Sequence, residues 1–368
     1  MNMPGIETME IRRIADLQGF ASLRNDWKEL HQQNPNQEVF LSWEWLYAWW
    51  KHYGKGRELW LITAWRDGDL IGIAPLMRVE RRKYGVRLNV LCNIGTPDVD
   101  EGGFIVKDGE AQVYAAIGDY LITQKRLWDM LELNELPAGS PEMRYLLPQL
   151  ANSGFGFRQS NTPHLYLPIP TRWNEYIERL PLEFRRKRLR NERKLSEQNR
   201  LTIVHHLGEE VTWEDIATIF EVNEHGHFPD VYRPAEEKAF QREIFELVKE
   251  KGWLNIHLLY VDDLPIAYNY GFVCNARYGY WRSGFDLRYA EYSVGNMLIF
   301  RTIENCLERE INELDFLSGY EPYKARWQTL ERVYTQLRFV PYSRLTAMLS
   351  YIWLPRLKAR LSKRNAPA

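Results

Sequence analysis

The sequence has few cysteines and no long apolar run. Cys92, Cys274 and Cys306 are far apart and form no CxxC or Cys/His pattern. Disulfide frameworks and zinc sites need such spacings, so we expect neither, and a reducing compartment fits this cysteine usage. No run of about 18 apolar residues is present, as a membrane-spanning helix would require, and the first residues carry charges where a signal peptide needs an apolar segment. These absences predict a cytoplasmic protein that does not span a membrane.

The sequence also lacks an excess of charge and the signature motifs of several enzyme classes. Lys and Arg total 48 against 49 Asp and Glu, so any polyanion binding must depend on local patches. Gly-x-Ser-x-Gly, the Walker loop and a full Gly-x-Gly-x-x-Gly are missing, which leaves hydrolase, nucleotide triphosphatase and Rossmann chemistry without support. His205-His206 and His225-Gly226-His227 have no third ligand at a motif spacing, so no metal site is predicted.

A duplicated pattern of strands and helices is present. The chain of 368 residues, 45% hydrophobic and 14% aromatic, is long enough for two domains with buried cores. Two apolar runs joined by Asp67-Gly68 predict an antiparallel hairpin, and a similar pair joined by Asp262-Asp263 follows about 195 residues later. Each hairpin precedes a strand, a crossover helix and a further strand, at 87–94, 111–123 and 127–133 and again at 278–285, 299–311 and 314–317. This order predicts two α+β units, each with a mixed sheet and helices on both faces.

The second crossover helix is predicted to begin in a small, glycine-bearing segment. Its free backbone N–H groups and the positive end of the helix dipole favour a phosphate or pyrophosphate. The first copy has Asp108 and Glu110 at the matching place, so only the second copy is predicted to bind a cofactor. The predicted cofactor-binding residues are Ser293, Val294, Gly295, Asn296 and Met297.

A polar loop follows the last strand of the second copy. Asp315 lies among apolar neighbours in that strand, and Gly319 ends it. A partly buried carboxylate has a raised pKa, which suits it to act as a general base near neutral pH. The loop then carries Glu321, Tyr323, Lys324 and Trp327.

The motifs in this region resemble those of a known family. The segments DFLSG (315–319) and EPYKARW (321–327) are similar to the second half of the acetyltransferase-like proteins of bacterial cellulose and exopolysaccharide loci, the CelD/BcsL type. The first half resembles the same family through Phe40, Trp43, Trp49 and the segment IAPL (73–76). These proteins belong to the GNAT superfamily and are similar in layout to the Fem-type peptidoglycan transferases. The resemblance spans most of residues 20–335 and implies a tandem GNAT-like fold.

The resemblance implies an acyltransferase that moves an acetyl or other acyl group from acyl-CoA to a small-molecule or saccharide acceptor in exopolysaccharide or cell-envelope synthesis. Such chemistry needs an acceptor deprotonated, a carbonyl polarised and a donor held by its phosphates, and it requires no metal. Asp315 and Glu321 are the candidate general bases and Tyr323 the candidate proton donor to the leaving thiolate. Lys324 and Trp327 are candidates for shaping the acceptor side.

Structural interpretations of the same residues remain open. Glu321 and Lys324, three residues apart, are able to form an ion pair that fixes the loop, and Asp315 is able to bond backbone N–H groups. Lys324 is alternatively a grip for a phosphate or an acidic sugar. If neither carboxylate is the base, His225 is the next candidate.

A basic run follows the predicted domain boundary. A proline-punctuated segment at 165–170 separates a first domain, 1–165, from a second domain, 166–342. Residues 185–194 then hold seven basic residues and one acid. They form either a solvated helix face or an anion-binding face for a phosphate-bearing substrate, a lipid head group or RNA. The candidate contacts are Arg185, Arg186, Lys187 and Arg188.

The last segment, residues 343–368, is basic, amphipathic and contains Trp353. It is expected either to pack on the second domain or to lie on an anionic inner-leaflet membrane surface.

Two other functions remain open. One is a Fem-like transferase that uses aminoacyl-tRNA, which the duplicated layout and the basic run favour. The other is a catalytically inactive GNAT-like module that binds beside a polysaccharide synthase.

Overall fold

Both predicted hairpins form, and their turns explain why. Asp67 and Gly68 have φ of 53° and 94°, and Asp262 and Asp263 have φ of 48° and 72°. Two successive left-handed residues give the turn whose twist matches that of paired strands. The flanking strands pair antiparallel, with Trp60 opposite Leu76 in the first hairpin.

A computed structural model describes residues 9–97, 99–319 and 321–357. The strands are β1 (Glu10–Ile14), β2 (Glu58–Arg66), β3 (Asp69–Lys83), β4 (Val86–Asn93), β5 (Ile105–Val106), β6 (Met130–Pro137), β7 (Phe155–Pro168), β8 (Leu201–Leu207), β9 (Leu254–Val261), β10 (Leu264–Cys274), β11 (Arg277–Phe285), β12 (Glu313–Asp315) and β13 (Leu330–Pro341).

The helices follow the predicted order. They are α1 (Leu17–Ser22), α2 (Arg24–Gln32), α3 (Trp43–Tyr53), α4 (Gln112–Thr123), α5 (Leu147–Asn152), α6 (Trp173–Arg179), α7 (Leu182–Ser196), α8 (Trp213–Glu224), α9 (Ala235–Lys249), α10 (Val294–Glu308), α11 (Pro322–Ala325) and α12 (Leu345–Ala347). Residues 16–31, whose apolar side chains recur at helical spacing and predict one helix, form two helices, α1 and α2. No helix in the described part of the chain is long and apolar enough to cross a bilayer.

The described residues form two units. The first runs to Thr162 and resumes at Val333, and the second runs from Pro163 to Arg332. The predicted boundary after residue 165 lies near the first crossing, whereas 333–342, assigned by sequence to the second domain, lie in the first unit. Leu337 and Phe339 of β13 explain this difference, because they are fully buried in the core of the first unit.

In the first unit, strand order is β1-β2-β3-β4-β6-β13, followed by the first part of β7. β4 and β6 are parallel, and α4 connects them as the crossover. β13 lies antiparallel to β6, with Phe339 opposite Leu131. Because β13 comes from the far end of the chain, this pairing has no local sequence signal.

In the second unit, the last part of β7 pairs with β12, and the order continues β11-β10-β9-β8. β11 and β12 are parallel from Arg277 opposite Glu313 to Gly279 opposite Asp315. Helix α10 is the crossover between them. The element order of the first unit is therefore repeated here.

The final described segment, 342–357, packs on the first unit, which corrects the expectation that it packs on the second domain. The side chain of Met348 lies over the backbone of Gly156 in β7, where an added Cβ would lie 2.6 Å from the Met348 Cε. Arg344 lies 3.1 Å from the Asp129 carboxylate. Residues 358–368, which complete the predicted basic tail, lie outside the described residues.

Glu132 ties β13 into the first sheet. Its buried carboxylate accepts hydrogen bonds from Arg81 at 2.7 Å and Arg338 at 2.6 Å. Burial alone would raise the pKa of Glu132, but the two guanidinium groups outweigh it and hold the pKa below its ordinary value. A lowered carboxyl pKa stabilises the folded state above the unfolded-state pKa.

We expect Glu132→Gln to lower the free energy of unfolding by about 2 kcal/mol at neutral pH, because two partly buried guanidinium groups lose their counter-charge. Chemical denaturation measures this loss. The loss should shrink as the pH falls below the ordinary value of 4.5, because the carboxylate of the unfolded wild-type chain is protonated there before that of the folded chain. The control is Glu80→Gln, whose half-exposed side chain makes only surface ion pairs. Equal stability of the two variants would contradict the assignment.

Candidate functional site

The start of α10 presents free backbone N–H groups. Ser293 is left-handed, with φ of 55°, and the first intrahelical bond runs from the Met297 N–H to the Ser293 carbonyl at 3.1 Å. The N–H groups of the first helical turn before Met297 therefore have no acceptor within the helix. The side chains of Val294 and Met297 are buried in the core, so Val294 offers only its backbone N–H to a ligand, while the Met297 N–H is already bonded within the helix.

The packing of α10 against β11 by itself explains why residue 295 is a glycine. A Cβ at this position would lie 3.2 Å from the ring of Phe285, which is tighter than ordinary contact. The lack of a side chain therefore lets α10 approach β11. A bulky replacement at Gly295 would disturb this packing as well as any ligand, so it does not test ligand binding cleanly.

Two exposed cations lie at the start of α10. A pocket there is lined by Phe184, Lys187, Arg188, Tyr292, Ser293, Asn296, Met297 and Arg326. Lys187 comes from α7 and Arg326 from the end of α11, and both side chains are exposed. Neither forms an ion pair with another described residue. The structure thus brings part of the basic run to the predicted cofactor-binding residues.

The other members of the basic run differ from Lys187. Arg188 is mostly buried, lies 2.5 Å from Glu192 and stacks 3.7 Å from the ring centroid of Phe300. Burial lowers its pKa from the ordinary value. Arg186 is exposed and lies 4.0 Å from Glu183, whereas Arg185 is half-buried. Of the four predicted contacts, Arg188 is thus held mainly by its own protein partners.

Asp315 is fully buried at the end of β12. Its carboxylate accepts hydrogen bonds from Arg277 at 2.5 Å, Arg332 at 3.0 Å and the Leu317 N–H at 2.7 Å. The last bond supports a left-handed backbone at Leu317, with φ of 57°, which is costly for a residue with a side chain. These contacts indicate that Asp315 anchors the loop, and they leave it poorly placed to accept a proton from an acceptor.

Lys324 fixes the other side of the same loop. Its buried ammonium group donates to the carbonyls of Phe316, Ser318 and Gly319 at 3.0 to 3.2 Å and lies 2.6 Å from the Glu321 carboxylate. These partners occupy its three N–H donors. The Glu321 side chain is half-exposed, so it is the more accessible of the two predicted carboxylates.

Tyr323 lies half-buried beside the end of β11. Burial raises the pKa of its hydroxyl, so the group stays protonated at neutral pH, and the Ser283 side chain hydrogen-bonds to it. Trp327, in contrast, is fully buried and packs edge-on against Phe184. The structure therefore places Tyr323 beside β11 but does not bring Trp327 to an accessible surface.

Two histidines, His225 and His227, lie beside the end of β11 and the residues just after it, which the sequence alone does not indicate. The His225 carbonyl accepts a hydrogen bond from the Leu287 N–H at 3.0 Å. The ring of the exposed His227 lies 5.5 Å from that of Phe285, the residue that packs against Gly295. From the sequence, His225 is only the next candidate base and His227 only a histidine without a metal-site spacing. Their contacts at the end of β11 form when the chain folds, so the sequence pattern does not predict them.

The matching helix start in the first unit has a different charge. Glu110, just before α4, accepts two hydrogen bonds from Arg66 at 2.7 and 2.9 Å. The adjacent cavity, of about 570 Å³, is also lined by Asp108 and the buried Glu142. Burial raises the pKa of Glu142. Carboxylates at this place oppose binding of a pyrophosphate.

Comparison with known proteins shows a similarity within the second unit. Residues 183–325 match a family model described as an acetyltransferase (GNAT) domain. No curated protein matches the chain.

Solved structures match nearly the whole chain. FemX is 12% identical, with a TM-score of 0.57, and the match covers 93% of this chain and 100% of that one. A conserved protein of unknown function from Bacteroides thetaiotaomicron VPI-5482 is 11% identical over 90% of this chain and 100% of that one, with a TM-score of 0.53. The C-terminal domain of a putative lysylphosphatidylglycerol synthetase from Agrobacterium fabrum is 9% identical over 90% and 94%, with a TM-score of 0.50. The predicted α+β, tandem GNAT-like fold is confirmed.

The geometry around Asp315 predicts a stability effect. Asp315→Asn should lower the melting temperature by at least about 5 °C, because it removes the fully buried one of the two carboxylates, Asp315 and Glu313, that pair with Arg277 and Arg332. Differential scanning calorimetry measures this. Asp230→Asn is the control and should change the melting temperature little, because its side chain is exposed and pairs with the exposed Arg233. If Asp315→Asn melts at the wild-type temperature, the anchoring role is refuted.

Proposed function

We propose that this protein is an acyltransferase that uses acyl-CoA as donor and acylates an acceptor in exopolysaccharide or cell-envelope synthesis. The observation that supports it most directly is the meeting of Lys187, Arg326 and the first turn of α10 within a GNAT-type domain. Exposed cations and free N–H groups at a helix start are the groups that hold phosphates. The inner face of the cell membrane is the proposed place of action.

The pocket is small, about 40 Å³, and the residues that line it carry groups that bind the phosphates of a CoA-type donor. Lys187 and Arg326 provide positive charge on two sides of the start of α10, and Asn296 adds an amide beside them. The backbone N–H groups of Gly295 and Asn296 are hydrogen-bond donors, and their use does not require a charged side chain to lose its water. Acyl-CoA would supply an activated thioester carbonyl, while these residues would hold its phosphates.

The residues of the loop after β12 have different proposed roles in the reaction. Glu321 is the proposed general base, because its carboxylate is accessible and Lys324 fixes its position. Tyr323 is the proposed proton donor to the departing thiolate, since its hydroxyl remains protonated. Asp315 and Lys324 then act as positioning residues that hold the loop, while Trp327 packs beneath it.

The acceptor class rests on the sequence resemblance to the CelD/BcsL type. A saccharide hydroxyl or amine is the acceptor that this resemblance implies. General-base assistance suits either group, because each must lose a proton as the new bond forms.

Replacing the two exposed cations should weaken donor binding. Lys187→Ala and Arg326→Ala should each raise the Kd for CoA about tenfold, since each removes a charge-assisted contact with a phosphate. Isothermal titration calorimetry measures the Kd. Arg190→Ala is the matched control, as this exposed arginine lies on the same helix but does not line the pocket. An unchanged Kd in both pocket variants would refute the donor site.

Replacing the loop groups should affect turnover and not binding. Tyr323→Phe and Glu321→Gln should each lower kcat about 100-fold or more, with the Kd for CoA unchanged, because they remove proton transfer. Single-turnover assays with acetyl-CoA and a saccharide acceptor measure this. The melting temperature of Glu321→Gln shows whether loss of the ion pair with the buried Lys324 also destabilises the protein. If Glu321→Gln keeps full activity, His225 or His227 becomes the candidate base. Full activity in both variants would refute the proposed chemistry.

An aminoacyl-tRNA donor is the second candidate, and the exposed face of α7 favours it. Arg186, Arg190 and Arg193 are exposed and continue the row of cations beyond Lys187 along this helix, and two of them lie near carboxylates, Arg186 at 4.0 Å from Glu183 and Arg193 at 3.1 Å from Glu197. A tRNA donor would bind with a steep salt dependence, since each neutralised phosphate releases a counterion. A thermal-shift screen with CoA, acetyl-CoA and charged tRNA separates the two. Stabilisation by tRNA alone would replace the first proposal, and stabilisation by none would favour a catalytically inactive module.

A further inference from the structure

The segment from Tyr342 to Leu357 is fastened to the first unit by one face only. Met348 and Ile352 are buried. Near its two ends, Arg344 donates to the Arg126 carbonyl at 2.8 Å and Arg356 donates to the Phe157 carbonyl at 2.7 Å. The helical segment is thus held in a defined orientation.

The opposite face presents an apolar stripe. Leu345, Leu349, Trp353 and Leu357 are 66%, 48%, 48% and 55% exposed. Because they follow one another every four residues along a helical segment, they lie on one side of it. We call these four residues the exposed stripe. Large apolar side chains scattered singly on a surface are ordinary, but a continuous row of them marks a contact surface.

The charge of this part of the chain has one sign. Residues 342–368 contain no Asp or Glu, whereas the whole chain has 49 acids among 368 residues. Their cations are Arg344, Arg356, Lys358, Arg360, Lys363 and Arg364, of which the last four follow the described residues. A row of leucine and tryptophan beside an acid-free basic segment is the composition of a helix that lies in a membrane interface.

We propose that the exposed stripe inserts into the surface of an anionic lipid bilayer, to which the acid-free, basic composition of residues 342–368 adds electrostatic attraction. Trp353 suits the boundary between acyl chains and head groups, because its ring is apolar and its N–H is polar. The cations add electrostatic attraction that an uncharged surface does not provide.

Charge also distinguishes a membrane from a second copy of this chain. A symmetric dimer built on the stripe would bring two acid-free basic segments together, and like charges at short distance repel. An anionic bilayer instead neutralises them. The charge complementarity therefore favours the lipid surface.

The test uses the full chain and vesicles of phosphatidylcholine, alone or with about 30% phosphatidylglycerol. We expect cosedimentation with the anionic vesicles and little with the neutral ones, and weaker binding as NaCl screens the charges. The stripe variant Leu345→Ser/Leu349→Ser/Trp353→Ser should bind at least tenfold more weakly. The charge variant Lys358→Gln/Arg360→Gln/Lys363→Gln/Arg364→Gln should also lose binding, by about fivefold per charge.

The matched control is Leu182→Ser/Leu189→Ser, which removes two leucines of α7 that are 49% and 57% exposed. It should bind anionic vesicles as the wild type does. The melting temperature of the stripe variant shows whether it folds, and the charge variant leaves the stripe unchanged, so it provides a second test if the first variant unfolds.

Three outcomes would overturn the proposal. These are failure of the full chain to bind anionic vesicles, equal binding by the stripe variant, and loss of binding only in the α7 control. Stripe-dependent dimerisation without vesicle binding, seen by analytical ultracentrifugation, would assign the surface to a second copy instead. None of these measurements uses a donor or an acceptor, so the result is independent of the proposed enzymatic function.

Discussion

The buried carboxylate of Asp315 is the contact on which the candidate site depends. It joins Arg277 of β11, Arg332 at the start of β13 and the backbone of the loop after β12. These bonds fix where β12 ends and where the chain turns toward α11. Since Arg326 follows directly after α11, the position of a candidate phosphate contact depends on a carboxylate that takes no part in binding. Lys324 completes this arrangement by holding three carbonyls of the same loop.

The cations of the candidate site fall into two groups: those paired with carboxylates of the protein and those that can bind a ligand. Arg188, Arg277 and Arg332 are paired with carboxylates in partly buried places, where the loss of a partner is costly. Lys187 and Arg326 have no such partner among the described residues, so a phosphate would be their first strong counter-charge. A basic run read as one feature in the sequence thus contains residues with different roles.

The two units share an element order but differ at the start of the crossover helix. In the first unit Glu110 is paired with Arg66 beside a cavity with further carboxylates, whereas in the second unit the corresponding place has exposed cations. This difference agrees with the predicted contrast between Asp108, Glu110 and the small residues around Gly295. It concerns the charge of the helix start, which a few residues of local sequence specify.

Local sequence determined much of this protein. The hairpins at Asp67-Gly68 and Asp262-Asp263, the crossover helices α4 and α10 and the parallel strands that follow them depend on turn chemistry and apolar period, which are short-range properties. Only the tertiary structure decided the rest. The pairing of β13 with β6 and the burial of Asp315, Lys324 and Trp327 depend on contacts between residues far apart in the chain. The approach of Lys187 to Ser293 was also decided by the tertiary structure, because the charge of a side chain does not reveal which residue or ligand will lie beside it.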